Sequence, residues 1–220
     1  MPRLATIKSN RANDMWSWLA VSLSGIGAIT GTKHGHIGQA LLYKVFTFVL
    51  LATIALTQSV VVDFTYWVVV GLAISAIADV LHTVTQKRLL HFVCFLLAQL
   101  CYSKAFWLQL SGEMVWWLFA LLLAACIVAF FLLLPRLDKL VFPVVIMGIV
   151  LIQLAWASGE VWLLEPQLSH AVGFVGCCVL LLSALAYALN FYRSPIKGAY
   201  FWVTGSYFLA HALIVASLTI

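Results

Sequence analysis

The chain is built from apolar runs about as long as a bilayer is thick. A helix needs about 20 predominantly apolar residues to cross a hydrocarbon core of ~30 Å. Runs of that size recur at 15–30, 39–58, 64–83, 90–110, 115–134, 140–158, 169–191 and 199–219, with short polar connections between them. Backbone in lipid has to satisfy its own N–H and C=O groups, so each run reads as a helix. The pattern predicts an all-α fold: a polytopic membrane helical bundle of about eight transmembrane helices. Residues 1–220 are expected to form a single integral membrane domain, with nothing left over for a soluble one. Only 9% of the residues are charged, far below the share of a soluble domain.

The first run follows Arg3, Lys8 and Arg11, like the charged start of a signal peptide. No small-residue cleavage site leads into a soluble domain, so a retained first helix is expected. The five cysteines (Cys94, Cys101, Cys126, Cys177 and Cys178) lie inside runs, without metal-type Cys/His spacing. They read as small apolar fillers, and neither a metal nor a cofactor is expected. The net charge of +5 concerns membrane orientation, and no basic surface offers itself to nucleic acid.

The loops leaving the odd-numbered runs carry Lys33, Lys87, Arg88, Arg136, Lys139, Arg193 and Lys197. The alternate loops carry Asp63, Glu113, Glu160 and Glu165, and read as ordinary solvated surface with Glu160 as a loop cap. The positive-inside rule then places the basic loops in the cytoplasm and both termini outside, against the three charges of the N-terminal tail. In that orientation Lys44, Asp79, His82, Ser183 and Asn190 gather in the cytoplasmic half. Gln99 and His211 lie near mid-helix.

Asp79 is the outstanding residue. A carboxylate inside a span costs about 2.5–3.5 kcal/mol at the centre on insertion scales and marks a functional site by default. An interfacial position paired with Lys87 is the plainer alternative. His82 follows Asp79 by three residues and shares its helix face. Lys44 either snorkels to the interface, neutralises Asp79 or holds a lipid phosphate. Tyr102 falls on the face of Gln99. The strings "FLLAQL" (95–100) and "FLAHAL" (208–213), each preceded by a glycine-bearing helix (Gly71, Gly176), suggest a parallel internal repeat. Parallel repeats in membrane folds place sites at their interface. No Gly-rich phosphate loop, H-E-x-x-H pair or nucleophile elbow is present.

The order and spacing of "YKVFTF", "GLAISAIAD", "FLLAQLCY", "FPVVIMGIVLI", "SGEVWL", "FVGCCVLLLSA" and "YFLAHALIV" resemble the YhhN family of membrane proteins, the family of lysoplasmalogenases. The resemblance implies an enzyme, an ether hydrolase. It would cleave the sn-1 vinyl ether of a lysophospholipid substrate, a lysoplasmalogen, to a fatty aldehyde and glycerophosphoethanolamine or glycerophosphocholine. It also implies a place in the bacterial inner (cytoplasmic) membrane. On this reading Asp79, Ser183 and His211 are catalytic, and Lys44, His82, Gln99, Tyr102 and Asn190 bind substrate. The chain departs from the family pattern at two places. Gln99 stands where the family has histidine. Ala184 follows Ser183 where the family has Ser-Asp, so the second carboxylate is missing and a weakened activity is expected. A non-catalytic lipid-binding protein, or a transporter of protons or small solutes, is the alternative from another class.

Overall fold

The computed structural model describes residues 2–58, 62–84, 88–133, 141–193 and 196–220. Side chains are described at 15–57, 63–84, 89–133, 141–191 and 196–220. Eight helices follow one another: α1 (Pro2–Lys33), α2 (Ile37–Gln58), α3 (Val62–Val84), α4 (Arg88–Trp107), α5 (Trp116–Leu133), α6 (Val141–Leu164), α7 (Leu168–Ala188) and α8 (Ala199–Ala216). A π-helical turn, Leu189–Arg193, extends α7. Among the described residues α2 to α8 are each long and apolar enough to cross a membrane. The protein is an all-helical membrane bundle, as the apolar runs predict.

Helix α1 reaches back to Pro2, well before the apolar run that begins near residue 15. Proline suits the first helical turn, where its missing N–H would lack a partner anyway, and nothing in the next dozen residues breaks the helix. The apolar part of α1 is interrupted by serines, glycines and threonines, and these pack it closely on α2. Gly27 lies against the Tyr43 ring and Gly31 against Ala40. Small residues four apart let two helix backbones approach. Ser24 donates to the Tyr43 carbonyl (2.9 Å), and Thr47 donates to Ser24 (2.9 Å), closing the contact with hydrogen bonds.

The most extensive packing joins α3 to α4 and α7 to α8, the two helix pairs of the suggested repeat. Each pair closes on a glycine. A Cβ at Gly71 would lie 2.5 Å from the Tyr102 ring, and one at Gly176 would lie 3.0 Å from the Ile214 nitrogen. Tyr102 is the third residue after Gln99 and Ile214 the third after His211, so both contacts fall in the same register. Helix α5 is the least buried of the spans α2 to α8.

Glu160 is corrected by the fold. It is fully buried within α6, not a solvated loop residue. The glycine before it, which suggests a helix end, instead lets Leu118 and Phe174 approach: a Cβ there would lie 2.5 Å from Leu118. The Glu160 carboxylate accepts from the Val115 backbone N–H with both oxygens (2.8 and 3.0 Å) and from Trp156 Nε1 (2.7 Å). It ties the loop before α5 to α6.

Candidate functional site

Asp79 sits five residues before the end of α3, about 7.5 Å along the helix axis at 1.5 Å per residue. Lys44 lies seven residues into α2, about 10 Å from its start on the same side of the bundle. The two helices pack together and bring Lys44 Nζ to 4.0 Å from Asp79 Oδ1. Asp79 is buried, and its Oδ2 has no hydrogen-bond partner among the described residues. Lys87, the other partner considered for it, lies outside the described residues, as do Arg136 and Lys139 of the orientation argument. Arg88 and Arg193 are described by backbone only.

One and two turns above Asp79 on the same face of α3 stand Ser75 and Gly71. Ser75 is fully buried and joins three helices. Its hydroxyl lies 3.3 Å from the Tyr102 hydroxyl of α4 and 3.5 Å from His211 Nε2 of α8. The tautomer of His211 follows from its other nitrogen. Nδ1 lies 2.8 Å from the Tyr207 carbonyl, which can only accept, so Nδ1 carries a proton. In the neutral ring Nε2 is then an acceptor, so Ser75 donates to it and Tyr102 donates to Ser75. Phe48 and Tyr207 wall the imidazole at ring distances of 5.2 and 4.5 Å.

Two residues that sequence reasoning missed complete this half of the bundle. The Tyr207 hydroxyl lies beside Ser75 and is buried without a completed hydrogen bond among the described residues. His91, from the first turn of α4, donates from Nδ1 to the Ala78 carbonyl (3.0 Å), next to Asp79.

The remaining site residues from the sequence are placed differently. His82 is exposed near the end of α3, its ring 4.6 Å from that of His91. Gln99 is fully buried on α4, and neither polar atom of its amide has a partner among the described residues. Ser183 donates to the Val203 carbonyl (3.1 Å), pinning α7 to α8. Asn190 accepts from the Ile196 N–H (2.8 Å) and shapes the connection into α8. The structure therefore gathers Lys44, Asp79, Tyr102 and His211 around Ser75 and Tyr207, while Ser183 and Asn190 hold backbone elsewhere.

An apolar groove of about 470 Å³ opens on the outer face of the bundle. Leu41, Val45, Phe46 and Val49 of α2 and Val80 of α3 are among the residues that line it. Val45 and Val80 are the chain neighbours of Lys44 and Asp79, although neither member of the ion pair lines the groove itself.

These features define an integral membrane protein with a buried acid, a lysine and a hydroxyl–imidazole chain between its helices. The chain belongs to the YhhN family, which it matches over residues 39–218. It is 28% identical over 206 residues to proteins named uncharacterized membrane protein YhhN from Escherichia coli O6:H1, Escherichia coli O157:H7 and Shigella flexneri. In each case the match covers 93% of this chain and 99% of the relative. No solved structure matches the chain.

Proposed function

We propose that the protein is a lysoplasmalogenase-like hydrolase of the bacterial inner membrane, with Asp79 as its acid. The observation that carries the reading is the Asp79 carboxyl itself. One oxygen faces Lys44 and the other, buried, has no partner among the described residues. Vinyl ether hydrolysis begins with transfer of a proton to the outer vinyl carbon, which gives an oxocarbenium ion. Water adds to that cation, and the hemiacetal collapses to aldehyde and alcohol. A carboxyl with one oxygen engaged by no described residue suits the first step.

The surroundings fit an amphiphile with one chain. The groove between α2 and α3 offers apolar surface to the chain, and Lys44 offers a cation to the phosphate. A phosphate drawn to Lys44 takes the place of Asp79 as its counter-ion and leaves the carboxyl to act as an acid. With alanine at position 184, water activation falls to the Tyr102–Ser75–His211 chain and to Tyr207. Ser183, committed to Val203, is a weaker candidate for that role than the sequence suggests.

The test is to incubate the purified protein with a lysoplasmalogen and with its saturated ether analogue. Aldehyde release from the vinyl ether alone supports the hydrolase. Binding of both lipids without release from either points to the non-catalytic lipid-binding alternative and removes the enzyme reading.

A further inference from the structure

The apolar groove beside α2 has a defined depth. Gly38, Leu42, Val45 and Val49 are among its lining and recur once in each turn of the helix, and Val80 supplies the α3 wall. Gly38 is the second residue of α2. Val49 lies eleven residues further on, about 16 Å along the axis at 1.5 Å per residue. That length matches one leaflet, half of a hydrocarbon core of ~30 Å. The groove's volume of about 470 Å³ falls in the range of ligand sites, ~300–1,000 Å³.

Its two ends differ in chemistry. The Gly38 end lies at the α1–α2 connection, where Lys33, His34 and His36 are all exposed. Lys44 stands about two turns further in. Among the described residues Asp79 is the acid nearest this end in depth, and Lys44 engages it at 4.0 Å. The Val49 end lies near the middle of the span Ile37–Thr57 and is apolar. A positive mouth on an apolar groove one leaflet deep complements a phosphate joined to a hydrocarbon chain, and not a soluble ligand or a neutral lipid. We infer that the groove binds one chain of a phospholipid from the leaflet on the Lys33 side, with the phosphate at the Lys33–His36 loop. Such binding needs no hydrolysis, so the inference stands or falls apart from the reaction assigned to Asp79.

Photo-crosslinking of the full-length protein in detergent tests it. The probe is a lysophosphatidylglycerol with a diazirine on its acyl chain, and its ester has no vinyl ether to enter the proposed hydrolysis. A diazirine near the glycerol should label Leu41 or Leu42, and one near the chain end should label Val49. Excess unlabelled lysophosphatidylglycerol should remove the groove label. It should spare any label on Leu121 and Val128, which are exposed on α5 and sample the surrounding micelle. A monoacylglycerol, which carries no phosphate, should compete poorly. Lys33→Gln should weaken competition by the phospholipid about fivefold, the usual contribution of one cation at a lipid surface. Groove labelling that competes no better than labelling of α5 is ordinary micelle contact and overturns the inference. So does an unlabelled groove, as when a second copy covers the face. Equal competition by the monoacylglycerol, or an unchanged Lys33→Gln protein, overturns it as well.

Discussion

Lys44 and Asp79 meet across the α2–α3 boundary at 4.0 Å, through one carboxylate oxygen only. A pair held solely for stability would use both oxygens and close its hydrogen bonds, because a buried charge with a missing partner is costly. This pair leaves the buried Asp79 Oδ2 without a hydrogen-bond partner among the described residues.

The first prediction separates the two partners. Asp79→Asn should stay folded and lose turnover by about 10²–10⁴-fold, the usual loss for a general acid. The amide matches the carboxyl in size but has no proton to give to carbon. Lys44→Met should act mainly on KM for a substrate that carries phosphate. Steady-state kinetics on both variants, with melts as controls, checks the division. Parental turnover in a folded Asp79→Asn protein would make Asp79 structural.

Gly71 carries the second prediction. A Cβ there would stand 2.5 Å from the Tyr102 ring, closer than real contacts allow. The ring has to move, and its hydroxyl leaves Ser75. Gly71→Ala should therefore lower kcat by about tenfold, since a displacement near 1 Å can cost up to ~10²-fold. It should also lower Tm through strain in the core. Gly25→Ala, where nothing lies within 4 Å of the added methyl, is the matched control: it should leave kcat unchanged and Tm no lower, since alanine favours a helix interior over glycine.

Glu160 carries the third. Its carboxylate accepts three hydrogen bonds from Val115 and Trp156. Glu160→Ala leaves both donors buried or half-buried without a partner, a loss of about 1–3 kcal/mol for each. The variant should melt several degrees lower, whereas turnover per folded molecule at low temperature stays near parental. Glu160→Gln keeps one acceptor oxygen and should recover part of the stability.

The spans were legible because bilayer thickness sets a length that composition cannot hide. Asp79 was legible because a carboxylate in such a span is costly. Ser75 was within reach of the same reasoning: Gly71, Ser75 and Asp79 recur every four residues and so share one face. Tyr207 was reachable too, standing four residues before His211. Neither spacing says which helix lies opposite, and the pairing of α3 with α8 depends on packing between segments far apart in the chain. Glu160 was misread because a glycine before it looks like a helix end, when it marks a close approach by Leu118. Ser183 and Asn190 sit at the right depth, but depth does not tell a side chain aimed at a site from one bonded to a neighbouring backbone.

The last prediction concerns Tyr207, whose hydroxyl lies beside Ser75 with no completed hydrogen bond among the described residues. If it positions the attacking water, its loss should impair capture of the oxocarbenium ion and leave the proton transfer from Asp79 intact. The cation then returns its proton to Asp79 and reverts to vinyl ether. Tyr207→Phe should hydrolyse about 10–100-fold more slowly, toward the lower range for a lost proton-transfer group. In deuterated water the recovered substrate should carry deuterium at the outer vinyl carbon, a label that the parental enzyme leaves at a much lower level. A packing role predicts slower hydrolysis without that label, because protonation and capture would fall together. Mass spectrometry of the unreacted lipid reads the difference. Slow hydrolysis with unlabelled substrate in a folded Tyr207→Phe protein would remove Tyr207 from the water-activating group and leave that role to Ser75 and His211.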